Sequence, residues 1–240
     1  MKSTGSKILT LITAALILSG CETLQVGEDA LRTLQADKAL NLETIISGLK
    51  EALMKGTEGA VTQLSSQGGY YDDKLLHISV PNELEKVSSM MKKIGLGSLV
   101  DTFEKKMNTG AEQAAAQAKP VFWNAIRAMN FQDAKGILNG GETAATDYFR
   151  STIGEELRHV FAPIVAKQLN SVGAVRAYND LMTRYSAIPL VKKPSFDLQE
   201  YTTEKTLDGL FSVVAHEEKQ IREDPAKRTT ELLRRVFGDQ

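Results

Sequence analysis

The chain has little of the residues from which several classes of protein are built. Of its 240 residues, 1 is cysteine, 6 are proline and 18 are glycine, and aromatic side chains make up 6%. One cysteine cannot build a disulfide framework, and so little proline and glycine excludes a collagen-like or low-complexity polymer. The near balance of 29 basic and 30 acidic residues argues against nucleic acid as a partner, because no broad basic field is available for phosphates. What remains is the composition of an ordinary globular chain.

Residues 1–20 have the order of charge and hydrophobicity of a secretory signal peptide. Lys2 and Lys7 precede an apolar run over residues 8–18. This run is shorter than the roughly 20 apolar residues that a helix needs to cross a bilayer. We therefore predict that the segment is removed and is not a permanent membrane span.

The next feature is Leu18-Ser19-Gly20-Cys21, which resembles the bacterial lipobox, the site where the lipoprotein signal peptidase cuts. The resemblance implies acyl chains such as palmitate on Cys21, and two or more chains make a stable membrane anchor. Residues 21–28 would form this anchor and a short tether that faces the periplasm. Glu22 favours, by the same resemblance, the inner leaflet of the outer membrane. The alternative is a chance cysteine after an ordinary signal peptide.

Residues 29–240 show apolar side chains at helical spacing almost throughout. Alternation of apolar and polar residues, the pattern of a β-strand, is confined to short pieces such as residues 76–80. The pattern predicts an all-α protein, folded as a single compact domain of about 8–10 helices. A chain of this size buries enough surface to fold without a disulfide or a metal.

Glycine and proline predict several helix ends. The apolar stripe that starts near Leu31 is expected to end at Gly56 and Gly59 or at the Gly68-Gly69 turn. Asn82 and Glu85 have the spacing of a capping box, which predicts a helix start at Asn82.

The longest helix is predicted over residues 143–170, where Pro163 is expected to introduce a bend. Its apolar stripe comprises Thr146, Phe149, Ile153, Leu157, Val160 and Ile164. The segment Ile188–Leu198 contains two prolines and is expected to be irregular. Asp224 before Pro225 predicts the N-terminus of a last helix that runs to Phe237.

The familiar catalytic and metal-binding motifs are missing from the sequence. It contains neither a P-loop nor a dinucleotide-binding glycine motif, and it has no Gly-x-Ser-x-Gly elbow. Glu156 and His159 have the Glu-x-x-His spacing of di-iron bundles, but such a site needs two of these motifs and the chain has one. We therefore expect no metal and no cofactor.

Glu218 lies in register with a helical stripe of apolar residues. The stripe comprises Leu207, Phe211, Val214 and Ile221. A carboxylate in such a stripe is costly unless it is paired, so we expect an ion pair that fixes helix packing. Arg222, four residues away, is one candidate partner. Folding could also bring Arg127, Arg150 or Arg228 near Glu218. A ligand-binding or catalytic role is the alternative.

Three other residues have simple structural interpretations. The hydroxyl of Thr146 is expected to bond back to a preceding backbone carbonyl, as helical threonines usually do. Asp133 is expected to be a helix N-cap. Trp123 is expected to lie in the core with Phe122 and Phe131 rather than to form a ligand platform.

A set of short motifs resembles a bacterial family of helical exported proteins that is defined only as a domain of unknown function. The motifs are Asn108 with Ala111-Glu112, Asp133-Ala134 with Ile137-Leu138 and Gly140, Thr146 with Tyr148-Phe149, and Glu218, Ile221-Arg222, Pro225 and Arg228-Thr229-Thr230. The resemblance extends from about residue 30 to the C-terminus, although Thr109-Gly110 departs from the family pattern. It implies an all-helical fold and an envelope location, and it supplies no activity.

Two functional hypotheses follow. The first is a non-enzymatic lipoprotein, held at the membrane by its lipid, that binds an envelope protein or an apolar small molecule in a groove between helices. The second is an enzyme with an unfamiliar polar site, for which hydrolysis is the candidate reaction. The candidate residues for that site are Glu112, Asp133, Thr146, Glu218, Arg222 and Arg228. Convergence of these side chains on one accessible cleft would favour the second hypothesis, whereas helix caps and buried ion pairs would weigh against it.

Overall fold

A computed structural model describes residues 40–132 and 134–238 of the chain. Within these ranges the chain forms nine α-helices and two short 3-10 turns, with no β-strand. The helices are α1 (Leu42–Leu64), α2 (Glu85–Lys93), α3 (Gly97–Ala115), α4 (Ala118–Ala128), α5 (Ala134–Leu138), α6 (Ala144–Ser171), α7 (Ala174–Ser186), α8 (Leu198–Glu223) and α9 (Glu231–Phe237). They belong to one compact unit that begins at Leu42. The all-α prediction is confirmed, whereas the predicted signal peptide and Cys21 lie outside the described residues.

The core is built where α4, α6 and α8 meet. Phe122 of α4, Phe149 of α6 and Phe211 of α8 are fully or almost fully buried, and their ring centroids lie 5.4 to 5.9 Å apart. Phe131 is also buried, as expected. Trp123 is not, because it lies one position beyond Phe122 and is partly exposed at the edge of α4.

Helix α1 passes through Gly48 and also through Gly56 and Gly59, which were one of the two ends predicted for it. A Cβ at Gly48 would lie 2.6 Å from Cγ2 of Val236 in α9, and a Cβ at Gly56 would lie 3.1 Å from the backbone oxygen of Val214 in α8. These glycines therefore allow close helix packing, which outweighs their cost of about 1 kcal/mol in a helix interior. Of the two predicted ends, the one at Gly56 and Gly59 is wrong, whereas the one at the Gly68-Gly69 turn fits, since α1 ends at Leu64, just before that turn.

Helix α6 runs over Ala144–Ser171, within one residue of its predicted bounds, and Pro163 lies inside it. Its buried stripe departs from the prediction in the second half. Val160 is 49% exposed, whereas Phe161, Val165 and Leu169 are buried. Steps of four residues turn the buried face gradually around a helix with 3.6 residues per turn, and α6 packs against several helices, namely α8, α3, α4 and α7.

Two predicted helix starts need correction. The 3-10 turn Asn82–Leu84 precedes α2, and Pro81 rather than Asn82 is at its N-cap, so the capping box does not form. Asp224 does accept a hydrogen bond from the Ala226 N–H, but it caps only a 3-10 turn. Helix α9 begins after Thr230, whose hydroxyl accepts from the Leu233 N–H.

The remaining comparisons between prediction and structure concern the segments that connect the helices. Residues 188–197 have no helix, as predicted, and α8 then begins at Leu198. Residues 77–80 are extended but pair with no strand. Side chains from helix α3 satisfy part of their backbone instead, as described below.

Candidate functional site

Glu218 lies in the interior of the molecule with none of its surface exposed. Its carboxylate accepts hydrogen bonds from the Ala145 N–H at 3.0 Å and from the Thr146 N–H at 2.7 Å. It also accepts from the Nε–H of Arg222 at 2.9 Å. These donors occupy both carboxylate oxygens, so Glu218 is a fully partnered buried anion.

The position of Glu218 explains why its charge is tolerated there. The N-cap residue of α6 is Thr143, which makes no side-chain cap hydrogen bond. The first N–H groups of a helix have no partner within the helix and carry a partial positive charge. Glu218 of α8 therefore caps α6 from a neighbouring helix.

Arg222 performs the complementary task at the end of α5. Its Nη1 donates to the Leu138 carbonyl at 2.7 Å and its Nη2 to the Ile137 carbonyl at 3.1 Å. The side chain of Arg222 is only 7% exposed and lies 2.8 Å from Glu218. A cation at a helix C-terminus is favoured by the helix dipole. The Glu218–Arg222 pair thus joins α8 to the end of α5 and to the start of α6.

Arg228 extends the same arrangement to the end of α8. Its Nε and Nη2 donate to the carbonyls of Ile221 and Arg222, at 2.9 and 2.6 Å. The residue is 9% exposed. We call Thr146, Glu218, Arg222 and Arg228 the helix-end cluster, since each of them satisfies backbone or charged groups where helices meet.

The predicted role of Thr146 needs correction. Its hydroxyl donates to Glu218 at 2.6 Å rather than to a preceding carbonyl of its own helix. Thr146 is in the first turn of α6, where the nearby acceptor is the buried carboxylate of α8. The ion pair expected for Glu218 is present with Arg222, the partner four residues away.

Glu112 is in a different cluster, on helix α3. Glu104, Asn108 and Glu112 are spaced four residues apart, so their side chains share one face of α3. Glu112 is 6% exposed and accepts from the backbone N–H groups of Tyr70 and Tyr71, at 3.3 and 3.2 Å. Asp133 lies outside the described residues.

Asn108 is fully buried and binds one residue of the extended segment from both sides. The Ile78 N–H donates to its side-chain oxygen at 2.9 Å, and its side-chain nitrogen donates to the Ile78 carbonyl at 2.8 Å. This is the hydrogen-bonding pattern that a neighbouring strand would offer. We call Glu104, Asn108 and Glu112 the α3 ladder. Asn108 and Glu112 belong to the motifs found in the sequence, whereas the regular spacing that includes Glu104 was not predicted.

Tyr70 precedes the segment 77–80 in the chain and is bound to helix α8. Its hydroxyl donates to the Thr206 carbonyl of α8 at 2.7 Å. A Cβ at residue 209 would lie 2.6 Å from the ring, so Gly209 makes room for Tyr70. Burial, with smaller contributions from the Asp208 and Glu112 carboxylates, raises the pKa of Tyr70 well above its ordinary value.

His77 closes the α3 ladder at its partly exposed end. Its Nδ1 lies 2.6 Å from the Tyr71 carbonyl oxygen and its Nε2 lies 2.7 Å from the Glu104 carboxylate. Both neighbours are acceptors, so the imidazole satisfies them best when both ring nitrogens carry a proton. Burial lowers the pKa of His77, but the hydrogen bonds to Tyr71 and Glu104 outweigh burial and the net pKa is raised.

Three surface clefts lie apart from the helix-end cluster and from the side chains of the α3 ladder, although His77 lines the first of them. One of about 460 Å³ separates residues 75–79 from α8 and is lined by Tyr201, Lys205 and Asp208 among others. A second, of about 450 Å³, lies where α3 meets the turn between α6 and α7. A third, of about 340 Å³, lies between α4 and α6 and is mostly apolar. None of these three clefts is lined by a residue of the helix-end cluster or by Glu112.

Metal binding finds no support in the described part of the chain, where no group of three or more His, Cys, Asp or Glu side chains is close enough to hold a metal ion. His159 is 3.3 Å from Glu155, its neighbour one turn earlier, rather than from Glu156. Both side chains of that pair are largely exposed, so it is a surface ion pair.

Among the same described residues, no helix combines the length and the apolar character needed to cross a membrane. No curated protein and no solved structure gives a significant match to the chain. A family model does match it, over residues 39–238, and that family is described as "Protein of unknown function (DUF4197)". The match spans nearly all of the helical domain and the motifs from Asn108 to Thr230. The chain therefore belongs to the DUF4197 family, which confirms the resemblance drawn from its sequence motifs.

Proposed function

We propose that this DUF4197 protein is a non-enzymatic binding module of the bacterial envelope, anchored by lipid on Cys21 at the periplasmic face of the outer membrane. Its anchor rests on the signal-peptide pattern and the lipobox-like residues that end at Cys21. Its body binds a partner through the groove between α4 and α6. The observation that carries this proposal is the contrast between the groove and the polar clusters.

The described polar side chains that suggested an enzyme, which are all of the six except Asp133, hold the fold together. Glu218 and Arg222 are buried and bind helix ends, and Glu112 binds the backbone of residues 70 and 71. Catalytic groups need access to a substrate, and a cleft with free polar groups is where they are found. This arrangement favours a structural role for these residues.

The groove between α4 and α6, by contrast, offers apolar side chains to solvent. Pro120, Val121 and Ala125 of α4 line one wall, and Ile153 and Val160 of α6 line the other. Val160 is 49% exposed, although it continues the apolar pattern of α6. A partly exposed apolar groove between helices is a common place for an apolar ligand or a partner protein.

Photo-crosslinking in cells tests this proposal directly. A photoreactive amino acid replaces Val160 in the full chain, and the matched control carries it at Ile94, which is equally exposed at 49% but lies at the end of α2. We expect a covalent adduct at position 160 and none at position 94. Equal labelling at both positions, or labelling at neither, would contradict a binding role for the groove.

The anchor has its own test. Mass spectrometry of the N-terminal peptide from the envelope fraction is expected to find acyl chains on Cys21, and a Cys21→Ser variant is expected to be extracted by a carbonate wash. An unmodified cysteine, or a variant that stays integrated in the membrane, would reject the lipid anchor.

A further inference from the structure

The surface of helix α4 on the side opposite the groove carries an aromatic residue among cations. Trp123 is partly exposed, and its indole N–H donates to the Met54 carbonyl of α1 at 3.2 Å. The only polar atom of the indole is therefore satisfied within the protein. Lys119 lies 4.5 Å and Arg127 5.2 Å from the ring centroid.

Two further cations come from α1. Lys50 donates to the Arg127 carbonyl at 2.7 Å, so its ammonium group lies beside α4. Lys55 lies 3.9 Å from Glu58, which also pairs with Lys119 at 2.6 Å. We call Lys50, Lys55, Lys119, Trp123 and Arg127 the basic strip.

The strip carries an excess of positive charge on a chain whose overall formal charge is −1. Two acids of α1, Glu51 and Glu58, are close to these cations in sequence, and Glu58 pairs with Lys55 and Lys119. Glu58 is shared between two lysines, and the pKa of this carboxyl is lowered by its hydrogen bond from Lys119. The guanidinium of Arg127 is exposed and forms no ion pair with a described residue.

The strip and the apolar groove lie on opposite flanks of one exposed helix. Residues 121 and 123 are two positions apart in α4, which places their side chains about 200° apart around the helix axis. Val121 lines the groove and Trp123 belongs to the strip. Helix α4 therefore presents apolar side chains on one flank, and a tryptophan with cations on the other.

We infer that the exposed side of α4, with the basic strip on one flank and the groove on the other, lies against the surface of an anionic lipid bilayer. Tryptophan favours the interface between headgroups and acyl chains, and Lys and Arg are attracted by anionic headgroups. Apolar side chains on the other flank of α4 add the hydrophobic contribution that holds interfacial helices. The inference rests on the proposed function, because it names the partner of the same binding face.

The positive charge of the basic strip complements an anionic bilayer. The proposed lipid anchor would hold the protein at such a bilayer, so that lipid is present at high local concentration. Residues 22–41 separate Cys21 from α1, and a chain of that length reaches at most about 70 Å. An anchor at Cys21 would therefore keep the body near the membrane. The basic strip would then decide which face turns towards the lipid.

Trp123 is the only tryptophan of the chain, so its fluorescence reports on this face without any labelling. The full lipidated protein is reconstituted in vesicles made of phosphatidylglycerol and phosphatidylcholine in equal parts, with or without brominated acyl chains. We expect the emission to shift to the blue and to be quenched by the brominated lipid, and less so in pure phosphatidylcholine. Emission that brominated lipid leaves unquenched in the anionic vesicles would overturn the inference.

A pair of charge reversals locates the contact. Arg127→Glu changes the basic strip, and Arg176→Glu makes the same change at an exposed arginine of α7 that also lacks an ion pair among the described residues. We expect Arg127→Glu to weaken the surface contact roughly fivefold or more, seen as lost quenching, and Arg176→Glu to leave quenching intact. Equal losses in both variants would mean that net charge alone acts, and would overturn the role of the strip. Matching circular dichroism and melting curves for the two variants ensure that folded proteins are compared.

The failure of this inference is distinguishable from failure of the proposed function. A protein adduct at position 160 together with an unquenched Trp123 would retain a binding module and reject the lipid surface. No adduct at position 160 and no quenching would reject both. Lipid adducts at position 160 together with a quenched Trp123 would support both.

Discussion

The helix-end cluster and the α3 ladder both place carboxylates where the backbone needs acceptors, but they do so in opposite settings. Glu218 caps a regular helix, is completely buried and is paired with Arg222. Glu104 and Glu112 hold an irregular segment, and the ladder ends at His77, whose side chain is 24% exposed. The comparison teaches that a buried ion pair can fix the junction of helices, whereas a ladder that ends in a histidine makes a loop sensitive to protonation.

The largest effect is expected from breaking the helix-end cluster with Glu218→Gln. The amide leaves the buried Arg222 without its counter-ion and cannot accept from all the donors that face it. Removing one partner of a buried ion pair costs about 3–5 kcal/mol, so we expect the free energy of unfolding to fall by about that much. Urea unfolding followed by circular dichroism measures it.

Glu217→Gln is the matched control, because Glu217 precedes Glu218 in α8 but is only partly buried. We expect its effect to stay within about 0.5 kcal/mol. If both variants unfold at the same urea concentration as the natural protein, the cluster does not stabilise the fold.

A smaller effect is expected from breaking the α3 ladder with Asn108→Ala. The N–H and carbonyl of Ile78 would lose their partners in a buried setting, and each unsatisfied buried group costs about 1–3 kcal/mol. Because the segment around Ile78 can shift towards water, we expect the free energy of unfolding to fall by about 2 kcal/mol and amide exchange at Ile78 to become faster. Hydrogen exchange measured by mass spectrometry resolves residues 70–80 from the helices.

Thr109→Ala serves as the control in the same helix. Its hydroxyl bonds back to the Lys105 carbonyl within α3, so its loss leaves no orphaned group in the segment. Equal exchange at Ile78 in the Asn108→Ala variant and in this control would contradict the ladder.

The smallest effect, and the one that distinguishes the two regions, is the pH dependence of His77. Its pKa is raised above the ordinary 6.5 in the folded protein, so the folded state binds its proton more tightly than the unfolded state does. The stabilisation is therefore complete below about pH 6.5 and is lost as pH rises through the folded-state pKa. We expect the stability difference between the natural protein and His77→Gln to be largest in mild acid and to shrink at higher pH.

Unfolding curves at a series of pH values measure this difference. His159→Gln, at an exposed histidine paired with Glu155, is the control and is expected to change stability little. A difference for His77→Gln that stays constant across the pH range would mean that its proton is not linked to folding.

Much of the architecture was predictable from local patterns. Helical spacing predicted α6 to within one residue, and the two prolines predicted the irregular segment before α8. Helix ends were less predictable, because Gly48 and Gly56 break helices on local propensity but here allow α8 and α9 to approach α1. The exposure of Val160 was equally unpredictable from the sequence, since it depends on which helix packs against each turn of α6.

The candidate site was predictable only in part. The position of Glu218 in an apolar stripe required a partner, and Arg222 four residues away was a local choice. Nothing in the neighbouring sequence indicated that the Glu218 carboxylate would cap α6, because Thr146 is 72 residues away from Glu218. Asn108 and Ile78 are likewise 30 residues apart, so the spacing of the ladder was visible but its target was not.

The sequence by itself determined the helical class of this protein, its membership of the DUF4197 family and the need of Glu218 for a partner, because periodicity, motif order and the cost of a buried charge act through near neighbours. Only the tertiary structure decided what the polar residues bind. Arg222 finds the carbonyl of Ile137 across 85 residues, and Glu218 finds the start of α6, because helix packing brings unsatisfied helix ends to buried charges.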